Sequence, residues 1–310
     1  MRVTVTGASG FVGQALCKQI LASTDWALTM VDLDLTWAKS LDYNQLKLVE
    51  GALQSEEVRQ AAVGASVDIL FHLAALPGGA AEQNPGLSRQ VNLDATLDLI
   101  DLAASKGNKP RVVFTSTIAV LGAPLPSPVN DQCRLAPAMI YGTHKAMVEM
   151  ALADLHRRGQ VDAVCIRLPG IVARPAVASG LKSAFMSNVF HDLKAGQAFT
   201  SPVGPDATLW LMSVSQCVAN LVHAATVESG RLPSNRAVTL PALRLTMTDL
   251  IEEVLLQTGA KSDLITYEKQ PDLQEHFGTH PPLITAAADH VGFKHDGDVQ
   301  ALVRSALSSI

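Results

Sequence analysis

The sequence is poor in cysteine, in aromatic residues and in charge. Its four cysteines, Cys17, Cys133, Cys165 and Cys217, are isolated and form no C-x-x-C pair. This pattern favours reduced thiols over a disulfide framework, and we expect a cytoplasmic protein. No apolar run reaches the roughly 18 residues of a membrane span, and the net charge of −5 leaves no basic footprint for nucleic acid. We therefore expect neither a membrane nor a nucleic-acid partner.

The nine histidines are scattered along the chain, and we expect no metal site. His276 and His280 have the spacing of a helical pair. However, Gly278 and the Pro281–Pro282 pair argue against a helix there, and no third ligand lies nearby in sequence.

The first thirteen residues carry the strongest motif, RVTVTGASGFVG after the initial methionine. It predicts a strand, a glycine turn and a helix. Gly7 bends the chain, Gly10 lets the backbone approach a pyrophosphate, and Gly13 lets the helix pack closely on the strand. The helix start then presents free N–H groups to the phosphates. The alternative is an ordinary glycine turn. The residues predicted to bind a dinucleotide here are Gly7, Ser9, Gly10, Phe11, Val12 and Gly13.

An aspartate predicts which dinucleotide binds. Asp32 ends a second predicted strand, Ala27–Val31, where a carboxylate accepts hydrogen bonds from the adenosine ribose. A 2′-phosphate would meet like charge there, and no arginine lies beside it. We therefore favour NAD over NADP; a solvated loop aspartate is the other interpretation.

Strands and helices alternate along the first half of the chain, which predicts an α/β fold with a doubly wound parallel sheet. We expect an NAD-binding domain over residues 1–170 and a smaller substrate-binding part over 171–310, with 215–227 packing back on the sheet. His72 is predicted to lie in or just after a buried strand. Residues 77–83 are predicted as a flexible loop and 88–105 as one long helix.

Tyr141 and Lys145 open a predicted helix after a Thr-Ser-Thr strand end at Thr115–Thr117. Their i,i+4 spacing puts both side chains on one helix face. Tyrosine is a poor base at neutral pH, since its ordinary pKa is about 10. A neighbouring ammonium favours the phenolate and lowers that pKa. Such a spacing also occurs by chance on helix surfaces, but here it follows a nucleotide motif.

Taken in order, these segments resemble the extended short-chain dehydrogenase/reductase family. They are TGASGFVG, VD, FHLAA, the asparagine of VNLDAT, FTSTIAVLG, YGTHKAMVE and IRLPGIVARP. The resemblance implies that Tyr141 is the catalytic base, Lys145 its partner and a ribose ligand, and Thr117 the hydroxyl that orients the substrate. The other residues that it implies for the cofactor are Leu53, Leu73, Ala74, Ala75, Asn92, Ser116, Leu168, Gly170 and Ile171.

Five longer segments carry the resemblance further: FHLAALPGGAAEQN, RVVFTSTIAVLGAPLP, YGTHKAMVEMALADLHRRG, IRLPGIVARP and NLVHAAT. They are similar to those of a subgroup, the bacterial D-erythronate dehydrogenases, which oxidise the C2 hydroxyl of a four-carbon sugar acid with NAD. Three departures stand out: Ala52 replaces an aspartate that contacts adenine, Leu121 replaces a tyrosine that borders sugar nucleotides, and Thr, Leu and Leu flank Trp210 where basic residues are usual. Arg174 is a candidate for the substrate carboxylate, with a structural salt bridge as the alternative. Ser179 and Lys182 are weaker contact candidates.

Two other functions stay open at this point. An NAD-dependent sugar-nucleotide epimerase or dehydratase would need a large cavity for a nucleotide diphosphate, and the second half of the chain has few aromatic and cationic residues. A non-catalytic NAD-sensing regulator would need none of the three catalytic candidates. A homodimer through the helices at 88–105 and 141–157 is compatible with the apolar residues of the second helix, which equally suit a core.

Overall fold

A computed structural model describes residues 1–175 and 182–310. The strands in the described chain are β1 (Arg2–Thr6), β2 (Ala27–Asp32), β3 (Leu46–Glu50), β4 (Ile69–His72), β5 (Arg111–Thr117), β6 (Asp162–Leu168), β7 (Gly170–Val172), β8 (Phe199–Ser201), β9 (Thr208–Ser213), β10 (Ala237–Thr239), β11 (Leu243–Thr246) and β12 (Ile265–Tyr267).

The α-helices in the same ranges are α1 (Phe11–Ser23), α2 (Glu56–Val63), α3 (Gly78–Gln83), α4 (Pro85–Ser88), α5 (Ala95–Ser105), α6 (Ile140–Arg157), α7 (Phe185–Lys194), α8 (Val214–Thr226), α9 (Met247–Thr258), α10 (Pro271–Phe277), α11 (Ala286–His290) and α12 (Val299–Ser308). None of these described helices is long and apolar enough to cross a membrane.

A seven-stranded sheet has the order β10-β6-β5-β4-β1-β2-β3. Strand β1 pairs in parallel with β2 on one side and with β4 on the other, and β2–β3 and β4–β5 are parallel as well. The predicted doubly wound sheet is therefore confirmed. The strand order reverses at β1, so the crevice beyond the carboxyl ends of β1 and β4 is the expected place for a ligand.

Apolar runs explain why these strands lie at the centre of the sheet. All four residues of β4 are buried, as are Val3 and Val5 of β1. Such unbroken burial is typical of parallel strands covered by helices on both faces. Among the residues of one core cluster are Leu70, Phe114 and Leu152, so α6 and the sheet share that core.

The chain forms two compact units. The first comprises Met1–Val120, Pro137–Arg167 and Val218–Val238, and the second comprises Leu121–Ala136, Leu168–Cys217 without 176–181, and Thr239–Ile310. Both are discontinuous in sequence. The expected division after residue 170 stays a prediction.

The second unit contains a three-stranded sheet, β11-β9-β7. Strand β9 pairs antiparallel with β11 and parallel with β7. The core of the second unit contains Phe190, Leu209, Leu211 and Val254. The sequence did not predict β7, β8, β9 or β11, because their partners are distant in sequence.

One local prediction was wrong. Residues 78–83, predicted as a flexible loop, form α3. The long helix predicted over 88–105 is present, and it runs from the last residue of α4 through a π-helical segment (Arg89–Asp94) to the end of α5. His276 and His280 do not share a helix, as expected, because α10 ends at Phe277, just before Gly278.

Candidate functional site

The glycine turn after β1 is closed so tightly that side chains do not fit. Gly7 has a φ of 72°, and a Cβ built there would lie 2.6 Å from the backbone nitrogen of Ala74. A Cβ on Gly13 would lie 1.9 Å from the carbonyl oxygen of Gly7. The loop therefore brings bare backbone to the carboxyl end of β1. The N-cap residue of α1 is Gly10, which makes no side-chain cap, and this suits a phosphate at that helix terminus.

Asp32 closes the other side of this loop. Its carboxylate accepts hydrogen bonds from the backbone N–H groups of Ser9 (2.8 Å) and Leu33 (2.7 Å). The Trp37 indole N–H donates to the Ser9 hydroxyl at 2.9 Å, tying the segment after β2 to the glycine turn. The glycine cradle and this carboxylate together fit the diphosphate and ribose of NAD.

The segment after β4 is held by Asn92. The buried amide of Asn92 accepts from the Leu76 N–H at 2.7 Å and donates to the Leu76 carbonyl at 2.9 Å. The segment begins at Leu73, whose N–H donates to the Thr6 carbonyl at 3.1 Å. Asn92 thus fixes the position of Ala74 and Ala75, and its predicted contact with the cofactor stays a prediction.

His72 lies inside β4 and is fully buried. Its two ring nitrogens lie 2.8 Å from the Thr6 hydroxyl and 2.9 Å from the Thr96 hydroxyl. Burial, with a smaller contribution from the charge of Lys145, lowers the pKa of His72 to about 3. The imidazole is therefore neutral near neutral pH and serves packing and hydrogen bonding.

Because His72 is buried in its neutral form, we expect the stability of the fold to decrease in acid. The pKa of His72 falls from 6.5 in the unfolded chain to about 3 in the folded one. Between those values only the unfolded chain takes up the proton, so the free energy of unfolding decreases as pH falls from 6.5 towards 3. His72 accounts for a loss on the order of a few kcal/mol. Urea unfolding at several pH values measures it.

The His72→Asn variant is expected to show a shallower loss of stability over the same pH range. The matched control is His295→Asn, since His295 is exposed, and its pH dependence is expected to follow the unaltered protein. Equal pH dependence in all three proteins would contradict this account of His72.

Tyr141 and Lys145 lie one turn apart in the first half of α6. The helix begins at Ile140, whose N–H donates to the Glu82 carboxylate of α3 at 2.6 Å. Lys145 is 2 % exposed, and its ammonium donates to the Thr115 carbonyl at 2.7 Å. The Lys145 Nζ lies 5.8 Å from the centre of the Tyr141 ring. The ammonium therefore stands between the end of β5 and the tyrosine.

Burial sets the charge of this lysine. Desolvation lowers the pKa of Lys145 to about 7, opposed by the nearby Glu149 carboxylate. Near neutral pH the side chain is thus close to its titration midpoint. Its Nζ also lies 4.4 Å from the centre of the Phe114 ring, where a cation–π contact favours the charged form.

The two hydroxyls at the end of β5 have different partners. Thr117 is half-buried, and its hydroxyl accepts from the Ala119 N–H at 3.1 Å. The buried Ser116 hydroxyl instead donates to the carboxylate of Glu149. Glu149 also binds Arg167 of β6. Sequence reasoning missed both charged residues, although Glu149 follows Lys145 at the same i,i+4 spacing.

The remaining predicted residues differ in burial. Leu53 is buried in the core of the first unit. In the second unit, Leu168 and Gly170 are half-buried and Ile171 is buried in β7. Lys182 is exposed. Ser179 lies outside the described residues.

The backbone of Arg174 is held at both ends by α7. Its N–H donates to the Ser187 hydroxyl at 3.0 Å, and its carbonyl lies 2.7 Å from Nε2 of His191. The arginine itself is half-buried. A fixed backbone limits the positions that the guanidinium reaches.

Trp210 and the two leucines beside it, which stand where basic residues are usual in the resembled subgroup, lie in the interior of the second unit. Trp210 is 1 % exposed and donates its indole N–H to the Pro281 carbonyl at 2.9 Å. Leu209 and Leu211 are fully buried in the core of the second unit. Apolar residues at these two places therefore have a packing role.

Comparison with known proteins agrees with this geometry. Residues 3–226 match the model of the NAD dependent epimerase/dehydratase family. The chain is 34 % identical to the D-erythronate dehydrogenase of Cupriavidus necator, over 98 % of this chain and 97 % of that protein. It is 30 % identical to the D-erythronate dehydrogenase of Haemophilus influenzae, over 98 % of each chain.

A solved structure is similar over nearly the whole chain as well. It is described as a nucleoside-diphosphate-sugar epimerase from Agrobacterium tumefaciens and is 31 % identical, with a TM-score of 0.89 over 98 % of this chain and 92 % of that one. The matched family model begins in β1 and reaches the end of α8, so it includes the glycine turn, Asp32, Tyr141 and Lys145. The chain therefore belongs to the NAD dependent epimerase/dehydratase family, the extended short-chain dehydrogenases/reductases.

Proposed function

We propose that this protein is an NAD-dependent dehydrogenase that oxidises the C2 hydroxyl of D-erythronate to give 2-oxo-erythronate. The observation that carries the proposal is the similarity to two D-erythronate dehydrogenases over 98 % of the chain. The buried Lys145 beside Tyr141 supports it, since a dehydrogenase needs a base for the alcohol proton.

In this proposal each side chain has one role. Thr117 holds the substrate alcohol, and Tyr141 as phenolate accepts the proton from its oxygen while C2 loses a hydride. Lys145 favours the phenolate through its charge. NAD, when bound, would supply the hydride acceptor, C4 of its nicotinamide. The C2–H and O–H bonds break and a C=O double bond forms, so the two electrons leave with the hydride.

The test uses purified protein with excess NAD and a panel of aldonic and uronic acids. NADH formation with D-erythronate supports the proposal. Formation with another acid only would keep the reaction and overturn the substrate. The second candidate is a sugar-nucleotide epimerase, favoured by the similarity to the Agrobacterium protein. It predicts tightly retained NAD, no net NADH and turnover of a nucleotide sugar.

Arg174 is proposed to bind the substrate carboxylate. A charge-assisted pair of this kind contributes about 1.5–3 kcal/mol, so Arg174→Gln is expected to raise KM for the acid roughly 10- to 100-fold, with a smaller effect on kcat. Steady-state kinetics at saturating NAD measures both constants. The exposed Arg304, changed to Gln, is the control. An unchanged KM in Arg174→Gln would leave a structural salt bridge as the role of this arginine.

A homodimer through α5 and α6 is part of the proposal. Met147 and Met150 of α6 are 46 % and 68 % exposed, whereas Ala146 is buried. The two methionines therefore offer apolar surface to a second copy. Sedimentation equilibrium decides between one and two chains. We also propose a cytoplasmic location, supported by four cysteines that form no disulfide in the described residues.

A further inference from the structure

A buried charged group links the end of β5 to α6 and β6. The Glu149 carboxylate accepts a hydrogen bond from the Ser116 hydroxyl. It also forms a bidentate ion pair with Arg167, in which Nη2 lies 2.7 Å from Oε2 and Nε lies 3.0 Å from Oε1. The relative exposures of Ser116, Glu149 and Arg167 are 2 %, 3 % and 6 %. Three elements of the first unit thus meet at one carboxylate.

Stability alone is a weak explanation for this pair. Taking two charges out of water costs about as much as their attraction returns, and apolar replacements of similar volume are often neutral or stabilising. A charge-free core at this point would serve the fold as well. Its location next to the candidate catalytic residues suggests another reason for it.

Glu149 continues the helix face that carries Tyr141 and Lys145. The three residues are four positions apart in α6, so they form one row along the helix. The charge of Glu149 acts on Lys145 in the direction that keeps the ammonium protonated. The other titratable and charged groups around Lys145 are His72 of β4 and Cys165 and Arg167 of β6.

These neighbours leave Glu149 as the effective negative charge. Burial raises the pKa of the Cys165 thiol well above its usual value, so it carries no charge. His72 is neutral, since its pKa is about 3. Arg167 is positive, but it is held against both oxygens of Glu149.

We propose that Glu149, held in place by Arg167, is a positioning residue that orients the Ser116 hydroxyl and sets the charge environment of Lys145. This inference rests on the proposed function for its catalytic consequence. Through Lys145 it sets how readily Tyr141 accepts a proton, and through Ser116 it fixes the end of β5 next to Thr117. Neither Glu149 nor Arg167 touches the reacting atoms in this account.

The test compares Glu149→Gln with Asp154→Asn. Both acids lie on α6 and pair with arginine, but Asp154 is on the surface with Arg157 and Arg158. Lysine labelled with ¹³C at Cε is titrated by NMR, with the Lys145 signal assigned by its absence from Lys145→Met. Glu149→Gln is expected to move the Lys145 midpoint to lower pH, and Asp154→Asn to leave it in place.

The lower Lys145 midpoint in Glu149→Gln determines the direction of the change in kcat. With less ammonium at a given pH, Tyr141 needs a higher pH to lose its proton, so the acid limb of the kcat profile moves to higher pH. At pH 7 kcat falls on the order of tenfold, with little change in KM for the acid. Glu149→Asp keeps the charge and is expected to recover the Lys145 midpoint. If Glu149→Gln does not fold, Glu149→Ala takes its place and is expected to move the Lys145 midpoint to lower pH in the same way.

The outcomes separate the two proposals. An unmoved Lys145 midpoint in a folded Glu149→Gln, or a midpoint in Glu149→Asp displaced as far as in Glu149→Gln, would overturn the inference. The NMR arm needs no substrate, so it decides the inference even if no sugar acid is oxidised. Absence of oxidation by the unaltered protein would overturn the proposed function alone.

Discussion

Changing Tyr141 to Phe is expected to lower kcat for D-erythronate by about 10²- to 10⁴-fold, the range for removing a general base. The substitution removes one oxygen and leaves the ring at the start of α6, where the Lys145 Nζ lies 5.8 Å from its centre. Lys145 keeps its hydrogen bond to the Thr115 carbonyl. Binding of NADH, followed by fluorescence, is therefore expected to change much less than kcat.

Tyr267→Phe is the matched control for this substitution. Tyr267 is 40 % exposed at the end of β12 in the second unit, so the same loss of one hydroxyl is expected to leave kcat unchanged. A Tyr141→Phe variant that retains most of its kcat would remove the tyrosine from the mechanism. The same result would contradict the proposed role of Lys145, which is to favour the phenolate of Tyr141.

Changing Gly13 to Ala is expected to disrupt the glycine turn and with it NAD binding. Two effects oppose each other, because alanine inside a helix gains about 1 kcal/mol over glycine. The new Cβ, however, would lie 1.9 Å from the Gly7 carbonyl oxygen, so backbone must move. Overpacking of this kind costs about 1–3 kcal/mol or more. We expect a lower free energy of unfolding and at least a tenfold weaker NADH affinity.

Gly230→Ala is the control for the glycine prediction. Gly230 lies in a 3₁₀ turn of the first unit, and an added Cβ would meet no described atom within 4 Å beyond its own residue and its two chain neighbours. Its stability is expected to change by less than about 0.5 kcal/mol. If Gly13→Ala binds NADH as tightly as Gly230→Ala does, the close approach of α1 to the turn is not what forms the dinucleotide site.

The first unit could be predicted from sequence because its signals are local. The glycine turn, the carboxylate at Asp32 and the pair Tyr141 and Lys145 each lie within one strand–helix connection or one helical turn. Helix α2 has a local start signal as well, since the Ser55 side chain caps its first turn. The alternation of strands and helices predicted the parallel sheet for the same reason.

Features that depend on distant partners could not be predicted. Strand β9 forms because it pairs with β7 on one side and β11 on the other. The residues Thr208–Ser213 alone do not indicate which segments these partners are. Likewise, Glu149 and Arg167 are 18 positions apart and meet only because α6 packs beside β6. The π-helical segment could be predicted as a helix but not as a π-helix. Its buried Asn92 is hydrogen-bonded to Leu76, which lies 16 positions earlier in the chain.

In the proposed reaction the hydride leaves C2 of D-erythronate for NAD. The most direct measurement uses D-erythronate deuterated at C2, with NAD and the purified protein, and determines the isotope content of the reduced nicotinamide by mass spectrometry. We expect one deuterium in each reduced nicotinamide formed. Reduced nicotinamide without deuterium, or no reduction of NAD at all, would contradict it.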